Sequence, residues 1–115
     1  MDSFLFNQDN RAPRKKTKWN AALKVKEAVI PVELLDISEQ GALVSSSLNV
    51  NKSKSIALMI KAKYDKYRSV IYARALVRHV TMRKNNFYIG LQFIAIDKHH
   101  QQFIKNYLEH NELGI

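Results

Sequence analysis

The feature that most constrains this chain is a two-residue alternation of apolar and polar side chains. It returns in one short run after another, each closed by a turn signal. Successive side chains on a strand point to opposite faces, so such a run suits a strand with one face buried. Trp19, Ala21, Leu23 and Val25 open the series on one face, with Asn20, Ala22 and Lys24 on the other, and Lys26-Glu27 follows as a turn. A second strand is expected from Ala28 to Ser38, where Pro31 cannot donate to a ladder and implies an edge or a bulge. Glu39-Gln40-Gly41 breaks it, with Gly41 able to take a positive φ in a tight turn. Further strands are expected at Ala42 to Ser47, Ser55 to Ala62 and Tyr67 to Val80, and a last one carries Phe87, Ile89, Leu91 and Phe93. Tyr64-Asp65-Lys66 and Arg83-Lys84-Asn85-Asn86 supply the hairpin connections. The period then lengthens. Phe103, Ile104, Tyr107 and Leu108 recur at helical spacing behind Asp97, a residue type that caps helices, and predict a helix from Asp97 to His110. Six short strands and one closing helix point to an antiparallel barrel, closed or nearly so.

At 115 residues, 46% of them hydrophobic, the chain is long enough for one domain with a real core. It has no cysteine, which excludes disulfides and thiolate metal sites. No run approaches the roughly 20 apolar residues of a membrane helix. The first ten residues lack the basic and apolar regions of a signal peptide. A soluble, cytoplasmic protein without a membrane span is the expectation, monomeric or a weak homodimer. His99, His100 and His110 read as surface histidines, without a carboxylate or further histidine at a supporting spacing for a metal. There is no nucleophile-elbow serine, and three glycines are too few for a phosphate loop, so no catalytic residue is assigned and an enzyme is not expected.

The net charge of +9 favours a polyanionic partner. Five of the positive charges fall within the eight residues 11 to 18, a density that does not fold on itself, and Pro13 disfavours a helix there. Residues 1 to 18 are therefore expected to form a flexible basic arm, 19 to 110 the barrel and helix, and 111 to 115 a tail. A second segment also stands out: Asp36-Ile37-Ser38-Glu39-Gln40-Gly41, an Asp-x-Ser-x-x-Gly pattern at a strand end. Two residues apart on a strand, Asp36 and Ser38 share a face. The carboxylate could accept from a purine edge, the hydroxyl could donate to a phosphate or ribose oxygen, and Gly41 lets the backbone come close. Ordinary turn chemistry explains the same three residues. Trp19 reads as a core or rim residue more readily than as a base-stacking platform.

From about residue 11 to 110 the chain resembles the PilZ family. That family carries an Arg-x-x-x-Arg motif on an N-terminal arm and an Asp/Asn-x-Ser-x-x-Gly motif on the barrel. Arg14-Lys15-Lys16-Thr17-Lys18 has the spacing of the first but ends in lysine; Asp36, Ser38 and Gly41 match the second. Ile89-Gly90-Leu91-Gln92-Phe93 looks like the family's last strand. The resemblance implies a six-stranded PilZ-type barrel and a non-enzymatic receptor for cyclic di-GMP, with no cofactor. Its arm would order over the barrel on binding and signal to an effector protein. It implies a ligand site of Arg14 and Lys18 on the arm and Asp36, Ser38 and Gly41 on the barrel. Arg11 and Lys15 offer an equally imperfect second register. Two other readings stay open: an interaction module of pilus or flagellar motility that binds no nucleotide, and a small nucleic-acid-binding barrel. Under the receptor reading no nucleic acid is expected.

Overall fold

The computed structural model describes residues 13–52 and 54–110. Six strands follow one another: β1 (Lys15–Val25), β2 (Ala28–Ile37), β3 (Gly41–Ser46), β4 (Ser55–Tyr64), β5 (Tyr67–Arg83) and β6 (Asn86–Ile96), with one helix, α1 (Lys98–Glu109). They close into an antiparallel barrel in the order β1-β2-β3-β6-β5-β4, with β1 paired to β4. Closure leaves no open sheet edge between these strands.

The alternation maps onto the inside and outside of this barrel. Trp19, Ala21 and Leu23 face in from β1, and Ile30, Val32 and Leu34 from β2. Ile56, Leu58 and Ile60 do so from β4, and Ile71, Ala73, Ala75 and Val77 from β5. The intervening Asn20, Lys24, Glu33, Lys61 and Arg74 are exposed. Lys26, Asp65, Lys84 and Asn85 take positive φ in the tight connections between paired strands, as short hairpin turns require. α1 lies against the barrel, burying His100, Ile104 and Tyr107.

Two expectations are corrected. β1 begins at Lys15, ahead of Trp19, because Lys15 and Lys16 already pair with Ile37 and Asp36. Pro31 sits, as expected, where β2 is paired on one side alone and forms a local edge. It pairs with Ala22, and the β3 ladder reaches only as far as Glu33, so the absent N–H costs no bond there. The register shifts lie elsewhere: between Lys16 and Trp19 on β1, between Leu34 and Asp36 on β2, and in the β5–β6 ladder between Arg74 and Ala75 and between Val77 and His79. Asp97 occupies the N-cap position of α1 but makes no side-chain capping bond. Its carboxylate lies 3.8 Å from His99 instead.

Candidate functional site

The bulges on β1 and β2 shape the site. Between Lys16 and Trp19 the β1 ladder is interrupted, and Thr17 fills the gap with its hydroxyl. That oxygen accepts from the Trp19 N–H at 2.9 Å and donates to the Leu34 carbonyl at 3.3 Å. The irregular stretch turns Lys18 outward, exposed on the barrel wall. Trp19 turns inward, 6% exposed, its indole N–H donating to the Lys63 carbonyl at 2.8 Å and its ring 4.6 Å from that of Tyr107. Trp19 is thus a rim residue held by packing and one directed hydrogen bond.

Arg14 and Asp36 meet directly. The guanidinium donates to one carboxylate oxygen, Oδ1, from Nε at 3.1 Å and from Nη2 at 2.6 Å. Both side chains keep contact with solvent, at 47% and 23% exposure. The second oxygen, Oδ2, has no partner among the described residues, so the pair retains acceptor capacity on the acid and donors on the base. Arm and barrel motif, 22 residues apart in sequence, form one unit.

Ser38 sits differently from expectation. It is fully buried, and Ile37, between it and Asp36, is buried as well. The Ser38 hydroxyl accepts from the Gln40 and Gly41 N–H groups at 3.1 and 3.2 Å, and the Ser38 N–H donates to the Gly41 carbonyl at 2.8 Å. The strand bends into its turn here, so the two-residue rule that put Asp36 and Ser38 on one face fails. The hydroxyl holds the turn together. Gly41 is not in the left-handed region. A Cβ at Gly41 would lie 2.1 Å from the Leu91 carbonyl oxygen, so this residue is a glycine for want of space against β6.

Lys15 is also placed elsewhere than expected. Its ammonium donates to the Tyr107 and His110 carbonyls at 3.1 and 3.0 Å and lies 4.4 Å from the Tyr107 ring centroid. A cation on the last carbonyls of a helix meets the negative end of its dipole. The Tyr107 hydroxyl returns a bond to the Lys16 carbonyl at 2.9 Å, tying α1 to the foot of β1. Arg11 lies outside the described residues.

A cleft of about 870 Å³ opens over this region, a size suited to a small-molecule ligand. Lys16, Lys18 and Lys63 bring positive charge to its wall, against Asp36 and Asp65. Leu35, Leu43, Trp19, Tyr64, Tyr88 and Tyr107 add apolar and aromatic surface to the lining. Tyr64 is held above the ordinary phenol value of 10.0 by burial first, then by the charges of Tyr67 and Asp65. The sequence reading named neither Lys63 nor Tyr88 as a site residue, because neither belongs to a motif and only the strand pairing brings them here.

Asp97, His99 and His100 gather ligating atoms within 4.8 Å of one another. The sequence reading found no supporting carboxylate, and it took His100 for a surface residue, whereas His100 is 9% exposed. The His100 Nδ1 accepts from the Tyr72 N–H at 3.4 Å, and the positive end of the α1 dipole repels a cation there. These two facts weigh against a resident metal.

A family model described as PilZ domain matches residues 8–110. No curated protein matches the chain. Among solved structures, the Bacillus subtilis inhibitor of motility MotI/DgrA superposes with a TM-score of 0.81 at 20% identity, over 93% of this chain and 53% of that one. The PilZ domain of YcgR from Escherichia coli, solved with c-di-GMP, gives 0.73 at 12% identity, over 89% and 90%. The Borreliella burgdorferi PlzA protein in complex with c-di-GMP gives 0.62 at 21% identity, over 89% and 41%. The chain thus spans about half of the Bacillus protein and less of the Borreliella one, and at these identities the likeness is one of fold.

Proposed function

Because this chain belongs to the PilZ domain family, we infer that it is a receptor for cyclic di-GMP, seated in the cleft that Arg14 and Asp36 overlook. The observation that carries this reading is the Arg14–Asp36 contact at the edge of a cation-lined cleft. Arg14 can stack its planar guanidinium on a guanine and donate to the base edge or a phosphate. Asp36 can accept from the guanine N–H groups through its spare oxygen. Ser38 and Gly41 contribute by fixing the turn that presents Asp36. No step of this binding breaks or makes a covalent bond, and the reading assigns no catalysis. Two of the similar structures are of proteins solved with this ligand, which supports the choice of dinucleotide.

The finer reading concerns output. The residues ahead of β1, up to Arg14, supply the arm, which closes over the ligand and alters the surface that an effector protein reads. A receptor for an intracellular messenger acts in the cytoplasm, and no helix among the described residues is long and apolar enough to cross a membrane. Lys18 stands where the family has its second arginine. An ammonium lacks the bidentate fork, and the loss of one such contact costs ~1–3 kcal/mol, about 5- to 150-fold in affinity.

Calorimetric titration with cyclic di-GMP, against GTP and cyclic di-AMP, tests the reading. Selective binding at micromolar or lower concentration is the expected result. Arg14→Ala is expected to abolish it with an unchanged melting temperature, since an exposed arm residue holds little core. Asp36→Ala is expected to relax the preference for guanine. A silent titration of the folded wild type would overturn the receptor and leave a nucleotide-independent interaction module. Binding to generic DNA or RNA with steep salt dependence, and no preference for the dinucleotide, would favour the nucleic-acid reading.

A further inference from the structure

Lys63 belongs to neither motif, yet the barrel brings it to the same cleft as Lys18. On β1 and β4 the register pairs Asn20 with Lys61. That is the last pair of the ladder, and Lys18 and Lys63 lie just beyond it, on the wall of one cleft. On β5 the residue paired with Lys63 is Arg68, so this end of the barrel carries a row of exposed cations on three adjacent strands. Like charges directly opposite one another destabilise a sheet. Asp65 borders the same cleft, but among the described residues the side chains of Lys18 and Lys63 make no hydrogen bond or ion pair with it or any other group, and the nearby Asp36 is engaged by Arg14. The backbone beneath Lys63 is nonetheless anchored, because its carbonyl accepts the Trp19 indole N–H. The result is an ammonium on a fixed base, beside a second one, both bordering a cavity.

We propose that Lys63 is a phosphate-binding residue of this cleft, acting with Lys18 to hold a phosphodiester of the bound dinucleotide. The proposal rests on the receptor reading above and extends it to a residue outside both motifs. An ammonium is a compact point charge with three rotatable donors, suited to phosphate oxygens and poorly suited to the fork that guanine asks for. Lys18 therefore replaces a base contact with half of a phosphate clamp, and Lys63 supplies the other half. An anion between them removes the repulsion that the empty row carries. Arg14 and Asp36 are left to read the guanine.

The test is calorimetry with cyclic di-GMP on the wild type and on Lys63→Gln, Lys18→Gln, the double variant and Lys61→Gln. Lys61 is exposed on the same strand but does not border this cleft. Lys63→Gln is expected to weaken binding roughly tenfold or more, the scale of a charge-assisted hydrogen bond. Lys61→Gln, the same charge loss in a screened position, is expected to cost less than about twofold. If the two lysines share one phosphate, the double variant loses less than the product of the single losses. Lys63→Arg should retain most of the affinity, which separates the role of the charge from any structural one. Wild-type affinity in Lys63→Gln, or equal losses in Lys63→Gln and Lys61→Gln, would overturn the proposal while leaving the receptor intact. A wild type that binds no cyclic di-GMP would overturn the receptor reading, and this clamp with it.

Discussion

Ser38 carries two N–H groups of the turn after β2 on one buried oxygen. That makes it the residue whose removal best separates architecture from ligand contact. In Ser38→Ala the Gln40 and Gly41 N–H groups lose their acceptor. An orphaned buried donor costs ~1–3 kcal/mol, and the side chain itself is fully buried, so little water reaches the gap. The expected outcome is a loss of ~1–3 kcal/mol in urea or thermal unfolding, measured without any ligand. Were the serine a pure ligand contact, unfolding would be unchanged and only the titration would differ. Arg14 is the opposite case. Its guanidinium is half exposed and meets Asp36 in solvent, where such pairs add ~0–1 kcal/mol to stability. Its weight therefore falls on recognition.

Between elements, the β3–β6 seam depends on Gly41. A methyl group there would stand 2.1 Å from the Leu91 carbonyl oxygen, and backbone on a paired strand cannot swing aside. At Gly90 the obstruction is the His79 imidazole at 2.3 Å, the end of an exposed and movable side chain. Gly41→Ala is thus expected to destabilise by more than ~3 kcal/mol, beyond ordinary overpacking, and Gly90→Ala by ~1 kcal/mol or less. Chemical denaturation of the two variants checks the difference, and equal losses would refute the argument. The same seam explains what could be read in advance. The strands were legible because a barrel has an inside and an outside, and the alternation at residues 19–25 records it directly. The helix was legible from Phe103, Ile104, Tyr107 and Leu108, all four of which join or pack against the core. The bulges at Thr17–Lys18 and Leu35, the close approach at Gly41 and the arrival of Lys63 were not. Each depends on a partner strand far away in sequence, as with the 44 residues between Trp19 and Lys63. The inward turn of Ser38 escaped for a related reason, since period two holds only while the strand stays straight.

For the molecule as a whole, the mouth of the barrel and α1 are joined by an aromatic cluster in which Tyr64 is central. Its ring lies 5.3 Å from those of Tyr67, Phe103 and Tyr107. Burial, reinforced by Tyr67 and Asp65, keeps the Tyr64 phenol protonated beyond its ordinary value. The native state therefore binds this proton more tightly than the unfolded chain does. Its contribution to stability is complete below the ordinary tyrosine value of about 10 and is lost as pH rises through the raised native value. The Lys15 ammonium on the α1 carbonyls is no confounder if compared at matched pH, because a Tyr64→Phe variant keeps it. The wild type should thus lose stability above about pH 10, while Tyr64→Phe, with no phenol at this position, should decline less over the same range. Urea midpoints for both proteins between about pH 8 and 11 measure this. Parallel curves would mean that the alkaline loss comes from the lysines or the other four tyrosines, and that Tyr64 ionises as easily in the folded barrel as in the open chain.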